Sequence, residues 1–88
     1  MKLIMYSVYD TIACVFNKPF CDINDASAIR SFDQSAGEQP HFGDYELYRV
    51  GEYDDSNGYI TPLDVARIRT GHETLAAYSK QKSLDIES

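Results

Sequence analysis

Seven tyrosines and a scatter of cations are the residues of this chain best suited to chemistry on a ligand. Single-stranded nucleic acid is held by aromatic side chains that stack on bases and by Lys or Arg near the phosphates. Tyr6, Tyr45, Tyr48 and Tyr53 are the candidates for stacking. Lys2, Arg30, Arg49, Arg67 and Arg69 are the candidates for phosphate contact. Arg49 is the lone cation of an acidic segment, flanked by Tyr48 and on the alternation that also carries Tyr45 and Tyr53. The bland alternative is that the tyrosines pack across strands and the cations are solvated or paired.

Other chemistries find less support. His41 follows a proline and His72 a glycine, and no nucleophile elbow or other catalytic signature accompanies them. The chain is therefore read as a non-enzyme without cofactor. Cys14 and Cys21 lack a zinc spacing and are expected to be reduced thiols, most simply two small buried hydrophobes. Asp54-Asp55-Ser56-Asn57-Gly58 has a superficial likeness to a calcium loop. Tyr53 stands where an acid is required and Asp64 where a bidentate Glu is required, so a plain hairpin turn is expected and no metal.

Charge narrows the field further. The chain of 88 residues carries 8 Lys and Arg against 14 Asp and Glu, a net charge of −6. Generic nucleic-acid binding is driven by cations that displace counterions from phosphates, and an acidic chain gains no such attraction overall. DNA binding would then need a local patch or homo-oligomerisation. The acidic excess is concentrated in Asp44, Glu46, Glu52, Asp54 and Asp55. That set makes an alternative surface for a basic protein partner. No stretch approaches a membrane span, no signal peptide is visible, and a cytosolic protein is expected.

The elements that position these residues are legible in part. Leu3 to Tyr9 reads as a strand, and Ile12 to Phe16 as its hairpin partner. Asn24 or Asp25 caps a helix whose face is Ile29, Phe32 and Ala36, with Gly37 as its stop. Asp44 to Tyr53 alternates as a strand with neither face cleanly apolar, and Asn57-Gly58 turns it into Tyr59-Ile60. Thr61-Pro62-Leu63-Asp64 predicts a short helix to Arg69, stopped by Gly71, with a further turn or two over His72 to Lys80. The expected fold is α+β: a small antiparallel sheet of two β-hairpins, one helix on one face, and a short helical or irregular C-terminal tail. A single domain over residues 1–82 is expected, with 83–88 frayed.

Several of these segments, taken in order, resemble a known family. They are Met1-Lys2-Leu3 running to Tyr9-Asp10, then Pro19-Phe20, then Ala28-Ile29-Arg30-Ser31-Phe32. Asp44-Tyr45-Glu46-Leu47-Tyr48 and Val50-Gly51-Glu52-Tyr53-Asp54 follow, ending at Asn57-Gly58. Over roughly residues 1–60 the pattern resembles the small nonstructural DNA-binding protein of gokushovirus-type microviruses, which are single-stranded DNA phages. The resemblance implies a role in viral DNA replication in the cytoplasm of the bacterial host. The partner would be single-stranded DNA or a replication intermediate. The alternative is an acidic factor that regulates the phage replication initiator or a host replication protein.

Overall fold

The computed structural model describes residues 1–87, with side-chain surroundings for all of them except Gly37 and residues 80–87. It is an α+β fold. Strands β1 (Lys2–Asp10), β2 (Val15–Phe16), β3 (Phe20–Asp22), β4 (Tyr45–Asp54) and β5 (Ile60–Thr70) form one antiparallel sheet. Helix α1 (Asp25–Gln34) lies between β3 and β4 in the chain, and α2 (Gly71–Glu87) follows β5. In space β1 and β4 are central, β5 forms one edge, and β2 and β3 share the other edge by pairing with successive stretches of β1.

Local chemistry explains α1. Asn24 is extended, and its side chain accepts a hydrogen bond from the Ser27 amide at 2.8 Å, which satisfies one of the donors orphaned at a helix start. Ala28 and Phe32 are buried, with Ile29 and Ala36 packed beside them. The helix does not stop on a left-handed glycine. Ser35 keeps a right-handed backbone, and a turn of 3-10 helix continues through Gly37.

The core lies between α1 and one face of the sheet. Tyr6 and Leu47 are completely buried there with Ala28, Phe32 and Phe42. The Tyr6 hydroxyl donates to Asp25 at 2.7 Å, so its polar end is satisfied inside the core. Burial first, and then that hydrogen bond to a carboxylate, push the phenol well above its ordinary value of 10.0. A phenol held protonated by the fold stabilises fully below its unfolded pKa and loses that contribution as pH rises through the folded one. Stability is therefore expected to fall as pH climbs above about 10. Urea denaturation across alkaline pH checks this, and Tyr6→Phe should flatten the fall.

Three expectations from the sequence are corrected. The partner of β1 is much shorter than Ile12 to Phe16. Residues 11–14 form a turn, with Ile12 and Ala13 amides bonded to Asp10 and Cys14 at φ 58°. Both cysteines are exposed rather than buried. Most consequentially, the helix predicted from Thr61 to Arg69 is strand β5. Its Thr61, Val65, Ile68 and Thr70 are β-branched and suit a pleated edge better than a helix. Pro62 has no amide to donate, which an edge strand tolerates. The turn that delivers β5 is the expected one: Gly58 sits at φ +78°, and its amide donates to Asp54.

Gly71 does not stop a helix either; it opens α2. A Cβ built on it would lie 1.9 Å from the Phe42 carbonyl oxygen, so only glycine lets the chain turn from β5 into α2 at this spot. Helix α2 covers residues 83–87, which the sequence reading left to a frayed tail, and Ser88 lies outside the described residues.

Candidate nucleic-acid interface

Pairing in a sheet sorts side chains by face, because opposite residues share a side and neighbours along a strand alternate. Ser7 pairs with Tyr48, and Tyr48 with Arg67; Tyr9 pairs with both Phe16 and Glu46. These residues lie on the side away from α1. Helix α1 covers the opposite side, and among the described elements none contacts this face as a layer. It is the open face of the sheet.

At one end of the open face three rings meet. Tyr9 and Phe16 have centroids 4.6 Å apart, Phe16 and Tyr48 5.4 Å, and Tyr9 and Tyr48 6.1 Å. The two contacts of Tyr48 are edge-on, a favoured geometry for aromatic pairs. Phe16 is 44% exposed, so the cluster is presented to solvent rather than sealed. The Tyr48 hydroxyl donates to Glu46 at 3.0 Å, and Arg67 reaches the other oxygen of the same carboxylate at 3.1 Å. Partial burial, followed by the Glu46 hydrogen bond, raises the Tyr48 pKa. Tyr9 is raised too, chiefly by its hydrogen bond with Cys14. Both phenols therefore stay neutral at physiological pH and add no negative charge. Arg67 and Glu46 nearly cancel, which leaves an aromatic surface close to electrical neutrality.

A β-bulge sets what else joins this face. Between Met5 and Tyr6 the register with β4 shifts, because Tyr6 pairs with Arg49 and Met5 with Gly51, leaving Val50 as the extra residue. The alternation read from sequence put Tyr53 with Arg49 and Glu52 with Tyr48. Across the bulge the two exchange sides. Tyr53, half-buried opposite Leu3, moves to the open face, and Glu52 moves to the side of α1 opposite Ile4.

The nine residues proposed for nucleic acid therefore do not form one surface. Tyr48, Tyr53 and Arg67 lie on the open face. Tyr6 is wholly buried and cannot stack on a base. Tyr45 is half-buried against Phe42, with ring centroids 6.0 Å apart. Arg49 lies on the helix side, with its guanidinium 3.2 Å from Asp25 and its Nε buried without a partner. Arg69 is held there too, donating twice to Asp33 at 3.1 and 3.0 Å and once to Thr74. Arg30 is exposed on α1, in the layer opposite the open face. Lys2 lies in a cleft with Glu52 and Asp54, where two carboxylates oppose a phosphate.

The alternative acidic surface is also dispersed. Glu46 is engaged by Tyr48 and Arg67, and Asp55 by the Met1 amine at 2.7 Å. Asp54 accepts from the Ser56 hydroxyl and amide, and these bonds, the hydroxyl's foremost, hold its carboxyl below the usual range. The Asp44 carbonyl accepts from Thr11. Glu52 has crossed to the helix side.

Sequence reasoning missed Tyr9 and Phe16. The signal was present, since they flank the first turn and face each other across it. It was obscured because most of the second run is turn rather than strand.

Among the described residues no helix is long and apolar enough to cross a membrane. No curated protein and no solved structure matches the chain. A family of phage proteins does match it over residues 3–74, which span β1 through β5 and the start of α2. On that match the chain is a phage protein and belongs to the Phage ORF5 protein family.

Proposed function

We propose that this phage protein binds single-stranded DNA, or a replication intermediate with unpaired bases, during viral genome synthesis in the bacterial host. On the resemblance read from the sequence, that phage would be a gokushovirus-type microvirus. The observation that carries the reading is the solvent-facing cluster of Tyr9, Phe16 and Tyr48 on a sheet face that no other described element covers. Stacking is tolerant of sequence because every base offers a ring face, and it is worth about 1–3 kcal/mol per base.

The charge of the face sets the binding mode. Arg67 is largely neutralised by Glu46, and the exposed Lys18 follows two residues after Phe16 in the loop beyond β2. With about two phosphate contacts at most, the slope of log K against log salt is expected to be no steeper than about −1.4. Stacking then dominates over counterion release.

Fluorescence anisotropy with labelled single- and double-stranded oligonucleotides at two salt concentrations tests the proposal. Single strands should bind in preference to duplex, with weak salt dependence. Phe16→Ala and Tyr48→Ala should each lower affinity by about 5- to 100-fold, the effect of losing one stacked base. Absence of binding to either form at low salt would overturn the reading. The search would then pass to the alternative partner, the phage replication initiator or a host replication protein, which a net charge of −6 suits.

A further inference from the structure

We propose that the open face of the sheet is an interface with a second copy of this chain, the two sheets packing face to face. This goes beyond the single-strand reading and does not depend on it. A second copy and a DNA strand would compete for the same rings.

The register defines the face. Leu3, Tyr53 and Ile60 form one cross-strand row, and Cys21, Met5, Gly51 and Pro62 form the next. Ser7, Tyr48 and Arg67, then Phe16, Tyr9, Glu46 and Thr70, complete it. Among these paired residues the only charges are Glu46 and Arg67, which lie 3.1 Å apart and neutralise each other. Lys2, Asp22, Glu52 and Asp54 take the α1 side instead. A solvated face of an antiparallel sheet is ordinarily polar. Here Ile60 is 63% exposed, Val65 59% and Phe16 44%. Between them lies a recess of about 270 Å³, lined by Ser7, Phe16, Asn17, Pro19, Val50 and Val65. The Ser7 hydroxyl is already spent on the Asn17 carbonyl at 2.7 Å. The recess therefore suits an apolar side chain reaching in from a facing sheet.

Charge, area and symmetry favour a second copy as the occupant. A basic partner would be drawn to the acidic groups on the α1 side and not to a neutral face. Two chains of net charge −6 meet with least repulsion where neither presents an unpaired charge, and this face meets that condition for both. The 10 residues of β4 and the four strand columns of the sheet span about 34 Å by about 19 Å, or about 600 Å² per copy. Two such faces bury about 1,200 Å², the lower end of specific interfaces. Sheets stack in this way about 10 Å apart with strands within about 30° of alignment. One self-complementary patch closes a two-fold dimer and stops there. The outer edge of β5 is a poorer route to pairing. Pro62 offers no amide, and two register shifts against β4 distort the strand.

Sedimentation equilibrium of the full chain from about 1 to about 500 µM tests this, since an interface of this size can hold at micromolar affinity. A monomer–dimer equilibrium is expected. Val65→Glu and Ile60→Glu each bring a bare carboxylate into the interface and should weaken the dimer at least about tenfold. Both sites are exposed, and circular dichroism checks that each variant folds. Tyr78→Glu, on α2 and 64% exposed in the parent, should leave the dimer unchanged. A monomer at every concentration would overturn the proposal, as would a dimer that Val65→Glu and Ile60→Glu weaken no more than Tyr78→Glu does. The oligonucleotide anisotropy assay separates the two readings. A chain that stays monomeric yet binds single strands overturns self-association alone. A chain that dimerises through this face yet binds no strand upholds the interface and overturns the single-strand reading.

Discussion

Gly71→Ala should unfold the protein or bring it close to unfolding, with a loss of about 3 kcal/mol or more in urea denaturation. The added methyl would meet backbone, not a side chain that can swing away. It would lie 1.9 Å from the Phe42 carbonyl oxygen, 2.8 Å from its carbon and 3.0 Å from the Tyr45 carbonyl oxygen. Phe42 cannot yield easily, because its ring is buried with a centroid 4.7 Å from that of Phe32. Relief must come either from withdrawing Phe42 from a small core or from detaching α2. A domain of this size has only a narrow margin to lose. Gly58→Ala makes the comparison. Gly58 has φ +78° but nothing within 4 Å of an added Cβ, so only backbone strain is incurred, about 1 kcal/mol. Near-equal melting temperatures for the two variants would refute the close approach at Gly71.

Asp33→Ala should cost about 2–3 kcal/mol, equivalent to a fall of roughly 10–20 °C in melting temperature. Asp33 on α1 receives two guanidinium bonds from Arg69 on β5 and one from the Thr74 hydroxyl on α2. Removing it leaves a guanidinium that is 21% exposed and a hydroxyl on a residue that is 4% exposed with fewer acceptors. Breaking a fully buried pair costs about 3–5 kcal/mol, and the partial exposure of this one brings the figure down. The three residues join α1, β5 and α2, so Asp33→Ala and Arg69→Ala together should cost much less than the sum of their separate effects. Additive losses in that double-mutant cycle would show that the residues do not act as a unit. Arg69→Ala should also leave the oligonucleotide affinity of the folded protein unchanged, since its guanidinium faces α1 and not the open face.

Helix α1, strand β1, strand β4 and the Asn57-Gly58 turn were legible in the sequence because local rules specify them. An asparagine cap, an apolar helical stripe and an Asn-Gly pair each have a meaning within a few residues. Strand β5 was not legible, because Thr61-Pro62-Leu63-Asp64 is locally a good helix start. Only the need to pair β4 along its outer edge makes it a strand, and that demand is tertiary. The candidate site suffered for the same reason. Arg49 and Arg69 looked like free cations, yet their partners Asp25 and Asp33 lie 24 and 36 residues away in sequence on α1. Tyr6 resembled any strand tyrosine until the helix closed over it. Tyr48 and Arg67 do come together, at a register position set by a bulge that no local pattern announces.

The extra residue Val50 works as a phase shifter along β4. It inverts the odd-even assignment of every position between itself and the hairpin tip, so the two halves of the strand obey opposite parities. Length changes in this hairpin should then be sharply position-dependent. An insertion among Asp55 to Asn57, beyond the last paired residues, only lengthens a loop. Deleting Val50 would remove the bulge and leave one unbroken alternation, with Gly51 opposite Met5, Glu52 on the α1 side and Tyr53 on the open side as they are now. Such a deletion would straighten the strand and leave both halves of the sheet facing as they do now.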